Sequence, residues 1–196
     1  MYRAPADEDR LARSTISCYA CEMSLPFEKL LEAEKLVAAS PAWANPEGVD
    51  RKTKLIAPLI VAERVFRGLE LIGRASLDLR NANMSFSLVY LPTDNRRDAV
   101  QMARVDWRPV TPHTNDHPRT PPDLLGLEID GTHHHSFELN WSTGTGKPLK
   151  WLPIAEPIEP DFATVAEFID GVGRFFRIGN AGSVLTSPWP TDLFDL

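Results

Sequence analysis

The 196 residues suit a single core, and a composition of 43% hydrophobic and 24% charged side chains excludes a disordered, collagen-like or low-complexity chain. No run approaches about 18 apolar residues, and the first twenty residues carry three arginines and three acids without an apolar stretch, so neither a spanning helix nor a signal peptide is expected and the reading is cytoplasmic, with no membrane. The net charge of −6 conceals a segregation: residues 51–119 hold 12 basic and 7 acidic side chains, ten of the bases being arginine, between two acidic thirds. Arginine's planar fork suits phosphate or carboxylate, so this third predicts either a solvated face with internal ion pairs or an anionic partner.

Residues 1–24 are polar without a period and read as a lead-in arm. Pro26 suits a first helical turn, and Phe27, Leu30, Leu31 and Val37 fall near one stripe, so a helix is expected from Pro26 to Ala39, ended by Ser40-Pro41. Residues 41–54 carry two prolines, a glycine and mixed charge, the composition of an exposed loop. Pro58 makes the run Leu55 to Val61 an edge or strand-start element. Leu69, Leu71, Gly73, Ala75, Leu77 and Leu79 alternate with mostly polar residues, the period of a strand with one buried face.

Asn81-Ala82-Asn83 reads as a turn into Met84, Phe86, Leu88 and Tyr90, making a hairpin. A strand is expected over about Ala99 to Trp107, with Ala103, Val105 and Trp107 on one face and Met102, Arg104 and Asp106 on the other. A proline-rich excursion, Pro109 to Pro122, precedes a short strand at Leu125, Leu127 and Ile129, a turn at Asp130-Gly131 and a strand from Thr132 to Trp141. A helix over about 161–176 is marked by Phe162, Val165, Ala166, Ile169, Val172 and Phe176, with Asp161 as its cap. Gly171 and Gly173 weaken that helix by about 1 kcal/mol each. Residues 179–196 form an acidic, aromatic tail whose Trp189 and Phe194 are expected to dock back on the domain. Together these elements predict one domain across 1–196 of the α+β class, an antiparallel β-sheet flanked by an N-terminal and a C-terminal helix.

All five histidines lie between positions 113 and 135: His113, His117, His133, His134 and His135. On a strand, His133 and His135 share a face with Phe137, Leu139 and Trp141, about 7 Å apart, and His134 lies on the other. Three readings stay open: structural histidines hydrogen-bonded to backbone; metal-independent hydrolysis of nucleic acid, with His133 and His135 as acid and base and Arg104 steadying the phosphate; and a divalent, zinc-like metal held by His113, His133 and His135, with Asp106 as a further ligand. Cys18 and Cys21 are read as ordinary reduced cysteines, with zinc shared with the histidines or a redox pair as alternatives. Gly144-Thr145-Gly146-Lys147 lacks the upstream glycine of a phosphate loop, and Pro148 replaces its hydroxyl residue, so it is a turn.

The order Arg104-Val105-Asp106, then Pro112-His113-Thr114-Asn115, then His133-His134-His135 resembles a family of uncharacterised prokaryotic proteins with an Arg-x-Asp, Pro-His-x-Asn, His-x-His layout and, more distantly, the TumE-type toxins of toxin–antitoxin modules. The resemblance covers roughly residues 100–140, with an echo of the following helix to about Ile178. The family pattern continues Pro-His-Arg-Asn-Pro-Asp-Gly, where this chain has His117 and a longer proline-rich insert. What the resemblance implies is a mobile-element or host-defence setting and ribonuclease activity. Two functions are therefore expected: a small intracellular protein of a toxin–antitoxin or phage-defence setting acting on RNA, or a non-enzymatic binding or inhibitor protein whose arginine-rich sheet engages an acidic protein partner. Convergence of His113, His133, His135 and Arg104 on one open pocket would separate them.

Overall fold

The computed structural model of the chain describes residues 27–49 and 51–189. In chain order the elements are α1 (Phe27–Glu32), β1 (Lys35–Val37), β2 (Lys52–Val61), β3 (Arg64–Ser76), β4 (Met84–Tyr90), a 3-10 turn (Arg96–Asp98), β5 (Val100–Trp107), β6 (His113–Thr114), β7 (Glu128–Ile129), β8 (His133–His135), α2 (Phe137–Asn140), β9 (Trp141–Ser142), β10 (Lys147–Pro148), β11 (Glu156–Pro157), α3 (Val165–Phe176) and α4 (Ala181–Val184). One antiparallel sheet runs β1-β2-β3-β4-β5-β8-β11, and β6 with β7 and β9 with β10 form two small ribbons. The architecture is a large antiparallel sheet with a few helices, compatible with the α+β class. No helix among the described residues is long and apolar enough to cross a membrane.

Period-2 alternation sorts the strands into two faces. Leu55, Ala57 and Leu59 of β2, Leu69 and Leu71 of β3, Met84, Phe86 and Leu88 of β4, and Ala103, Val105 and Trp107 of β5 are buried in one hydrophobic cluster. Onto this face α3 lays Phe168, stacked on Trp107 at 5.4 Å between ring centroids and tilted against Phe86 at 5.9 Å. Burying such a ring contributes roughly 3 kcal/mol. The two helical glycines have steric causes: a Cβ at Gly171 would collide with the Phe162 ring, and one at Gly173 would meet the Ala181 Cβ at 3.1 Å. Trp189 closes the cluster, its Nε1 donating to the Ser76 carbonyl at 3.2 Å.

The hairpin β3-β4, the Asn81 to Asn83 turn with both asparagines at positive φ, and β5 follow the alternation, but β3 stops at Ser76 rather than running through Leu79, which is exposed, and a register shift at Leu88/Val89 accompanies Met102, expected on the polar face, into the core. Pro58 sits just before the β1 pairing begins, because β1 pairs only with Leu59 to Val61, and the β2-β3 register shifts between Pro58 and Ile60. Several expectations are corrected. The first helix stops at Glu32, and residues 35–37 join the sheet instead. A helix this short has little stability of its own, whereas β1 gains ladder bonds to β2 and a clamp from Asn180, whose side chain accepts from Val37 N–H at 2.8 Å and donates to Val37 C=O at 3.1 Å. The loop expected over 41–54 gives way to strand at Lys52.

Leu125 and Leu127 are exposed, leaving Glu128–Ile129 as the whole of β7. The strand expected from Thr132 to Trp141 ends at His135, because Ser136 caps α2 by accepting from the Leu139 N–H at 3.3 Å. Thr164, not Asp161, caps α3, accepting from the Glu167 N–H at 3.2 Å. In that helix Ala166 is exposed and Val165 half-buried, while Phe168 carries the contact with the sheet. The arm, Pro26, Cys18, Cys21 and Phe194 lie outside the described residues.

Candidate functional site

The site is built by strand register. β5 and β8 pair so that Arg104 faces His135, Val105 faces His134 and Asp106 faces His133. Directly opposed side chains share a face about 5 Å apart, so Arg104, Asp106, His133 and His135 stand together on the face opposite the core. His134 projects to the core side and stacks on Phe175 of α3 at 4.7 Å, where burial lowers its pKa to about 4.

His113 arrives from the proline-rich excursion, and an asparagine clamp explains how. Asn115, fully buried, accepts from Ala155 N–H and donates to Ala155 C=O, each at 2.8 Å. Asn140, also fully buried, does the same to Ile154 at 2.9 and 2.8 Å. The two amides hold the segment 153–155 as a strand partner would, and that segment with Asn115 fixes the His113 ring. His113 Nε2 lies 3.1 Å from both Asn115 Oδ1 and Pro153 O, two acceptors, so the proton sits on Nε2 and the lone pair on Nδ1. Burial, then the neighbouring His133, lowers the pKa of His113, with the bonds to Asn115 and Pro153 opposing.

The three rings of His113, His133 and His135 meet with centroids 4.9 to 5.3 Å apart, and one nitrogen of each lies within 4.8 Å of the others. His133 donates from Nδ1 to Gly131 O at 2.8 Å and turns Nε2 toward Asp106 Oδ2 at 3.2 Å. His135 Nε2 lies 3.1 Å from the same oxygen and also faces Arg104 Nη2, while its Nδ1 is buried without a partner. One proton cannot satisfy both a carboxylate and a guanidinium at a single nitrogen, so this ring remains frustrated. Burial lowers its pKa to about 4, opposed by the bond to Asp106 and reinforced by Arg104. Burial pushes the Asp106 carboxyl up, but bonds from His133 and His135 and the Arg104 charge, with Arg104 Nε at 2.7 Å, more than reverse this and hold it well below the usual carboxylate range.

The donor set fits a divalent metal of the zinc type. Three imidazole nitrogens within 4.8 Å of one another are close enough for such an ion, and Asp106 Oδ2 lies at hydrogen-bond distance, 3.2 and 3.1 Å, from two of the rings.

The rings are not open to a large ligand. His133 is 2% and His135 0% exposed, and the solvent-facing members are Asp106 and Arg104, whose side chains are 16% and 25% exposed. Asp106 lines a cleft of about 520 Å³ on the polar face of the sheet. His117 stays apart, its Nδ1 accepting from the Arg119 N–H at 3.2 Å. The residue pattern contained His113, His133, His135, Arg104 and Asp106 but not the second layer: Asn115 and Asn140 act on backbone 40 and 14 residues away. Asp161, expected as a helix cap, instead holds Thr132 Oγ1 at 2.5 Å and Arg108 Nε at 2.7 Å beside the start of β8.

Comparison with known proteins finds no matching family model, no matching curated protein and no matching solved structure.

Proposed function

We propose that this chain is a metal-dependent hydrolase of phosphate esters in nucleic acid, RNA first, with the ion held by His113, His133 and His135. The observation that carries this reading is the meeting of three imidazoles with the Asp106–Arg104 pair, of which Asp106 lines a cleft. Burial of His133 and His135 keeps a phosphodiester from touching either ring, which favours an ion as the reactive group over direct acid–base work by the two histidines. A bound zinc-like ion supplies a water whose pKa is lowered toward neutrality.

The chain's own residues then have distinct tasks. Asn115 and Gly131 engage Nε2 of His113 and Nδ1 of His133, so the opposite nitrogen of each ring would face the metal, which would take the place of the contact between His133 Nε2 and Asp106. Asp106 either joins the ligands or holds the rings from the second layer. Arg104 places its Nε–H on Asp106, and with His135 held by the ion its Nη groups would be available to a phosphate oxygen. The resemblance of residues 100–140 supports a toxin–antitoxin or phage-defence setting for this activity, in the cytoplasm.

The test is cleavage of labelled single-stranded RNA by chelator-stripped protein with and without added zinc or manganese. Cleavage should need the metal, disappear in His135→Ala, and follow a bell-shaped pH profile near neutrality. RNA cleavage that persists in chelator returns the reading to metal-independent acid–base catalysis. RNA that is bound but never cut under any metal supports the alternative, a binding protein whose arginine-rich sheet meets an acidic partner.

A further inference from the structure

The registers of the sheet extend the site into a row. Lys54 of β2 faces Arg74 of β3, Arg74 faces Ser85 of β4, Ser85 faces Asp106, and Asp106 faces His133. Directly opposed residues of antiparallel strands lie on one face, so these five side chains cross the polar face in a line. At about 4.8 Å per strand, Arg74 stands roughly 10 Å and Lys54 roughly 14 Å from Asp106. Lys54, Arg74, Ser85 and Asp106 line the same cleft of about 520 Å³, with Asn45 and Glu47 on its wall. That wall is pinned to the outer edge of β2: Ala44 N–H donates to Lys54 O at 2.8 Å, Thr53 Oγ1 to Ala44 O at 2.6 Å, and Glu47 N–H to Lys52 O at 2.8 Å.

Two like charges opposed across a strand pair repel, and a folded protein has no structural use for that arrangement. Lys54 and Arg74 make no hydrogen bond or ion pair with any group among the described residues. Two carboxylates, Glu47 and Asp106, line the same cleft, and a third, Glu70, whose charge raises the Lys54 pKa, is engaged by both terminal nitrogens of Arg96, at 3.1 and 3.2 Å. The crowding registers on Lys54, whose pKa is lowered by burial first and then by Arg74 and Arg96. On the same face Arg104 is matched by Asp106.

We infer that the cleft is a phosphate seat, in which Lys54 and Arg74 hold the backbone of a single-stranded RNA whose next phosphates run along the row to Asp106 and the histidines. The substrate class rests on the hydrolase reading above; the seat rests on the row itself. A ligand touching both Arg74 and the histidine cluster must span roughly 10–15 Å, which one inorganic phosphate cannot do. A duplex needs a far larger basic surface than this cleft offers. The recognition is of backbone charge, so it tolerates sequence.

The experiment is fluorescence anisotropy of a labelled six-nucleotide single-stranded RNA with the full chain in chelator, where no metal-dependent cleavage can occur. The wild type should bind, with a log–log salt slope of about −1.4 for two contacted phosphates. Lys54→Gln with Arg74→Gln should weaken binding at least tenfold and flatten the slope, with zinc uptake unchanged. Arg67→Gln, a distant exposed cation, should bind as the wild type does. If the double variant loses its fold, Arg74→Gln alone should weaken binding severalfold. Wild-type protein that fails to bind at low salt, or a folded double variant that binds equally well, overturns the seat. So does a polyglutamate peptide that competes as well as the RNA, which would assign the row to an acidic protein. Because the measurement excludes metal, its failure leaves the metal reading untouched, and a failed zinc titration leaves the seat standing.

Discussion

The two faces of the main sheet are made by the same strands and obey different rules. On one face Leu71, Phe86, Val105 and Trp107 meet α3 through Phe168, and what counts is volume and shape. On the other, one residue out of phase, Arg74, Ser85, Asp106 and His133 stand in register, and what counts is which charge lies opposite which. A packed face gains from every methylene it buries, while a charged row is stable only where each group finds a partner. The polar face meets that condition at Arg104–Asp106 and departs from it at Lys54–Arg74 and at His135 Nδ1. The departures are where a ligand is expected.

The largest effect should come from the packed face. Phe168→Ala removes the ring stacked on Trp107 and should cost about 3–5 kcal/mol in urea unfolding. Zinc uptake per folded molecule should stay the same; if it vanishes in folded protein, the two faces are not separable.

Acid should act on the histidines in chelator-treated protein. His134 and His135 have pKa values lowered by burial to about 4 in the fold, below the free value of 6.5. Between those limits the unfolded chain binds more protons than the folded one, so stability falls as pH drops from about 6.5 to about 4. The enclosed His135 alone accounts for a loss on the order of 3 kcal/mol. Below about pH 4, protonation of Asp106, whose carboxyl is held below the usual range, should add a further loss. Urea midpoints at pH 7.5, 6, 5 and 4 measure this, and a flat profile would contradict buried neutral rings.

A smaller loss belongs to the clamp. Asn115→Ala strands the N–H and C=O of Ala155 and should cost about 1–3 kcal/mol, with a zinc affinity about 10–100-fold lower because His113 loses its orienting acceptor. Full zinc affinity in a folded Asn115→Ala protein would remove His113 from the site. The smallest effect is expected at the rim, where Arg67 and Asp94 are 86% and 85% exposed: Asp94→Asn should change stability by less than about 1 kcal/mol.

Much of the sheet was legible from sequence because β3, β4 and β5 keep an uninterrupted period of two through Leu69–Ala75, Met84–Leu88 and Ala103–Trp107. The period misleads where elements are short. Thr132 to Trp141 alternates well enough for one strand, but a capping hydroxyl at Ser136 turns the chain into helix after three strand residues. Residues 26–39 hold a helical stripe, yet Leu36 and Val37 gain more from the edge of β2 than from continuing α1. At the site, the shared face of His133 and His135 follows from spacing alone. The arrival of His113 does not, since it depends on two buried asparagines gripping backbone far along the chain. The Lys54–Arg74 row needs the register of four strand pairs, which no local pattern encodes.

The central claim, that the end of the polar row holds a divalent metal, is tested most directly by calorimetric titration of zinc into chelator-stripped protein at pH 7.5. One zinc per chain is expected for the wild type, with His133→Ala and His135→Ala each reducing affinity by at least a hundredfold while remaining folded in urea and circular-dichroism checks. A wild-type protein that takes up no zinc, manganese or other divalent ion, or histidine variants that take up as much as the wild type, would contradict it.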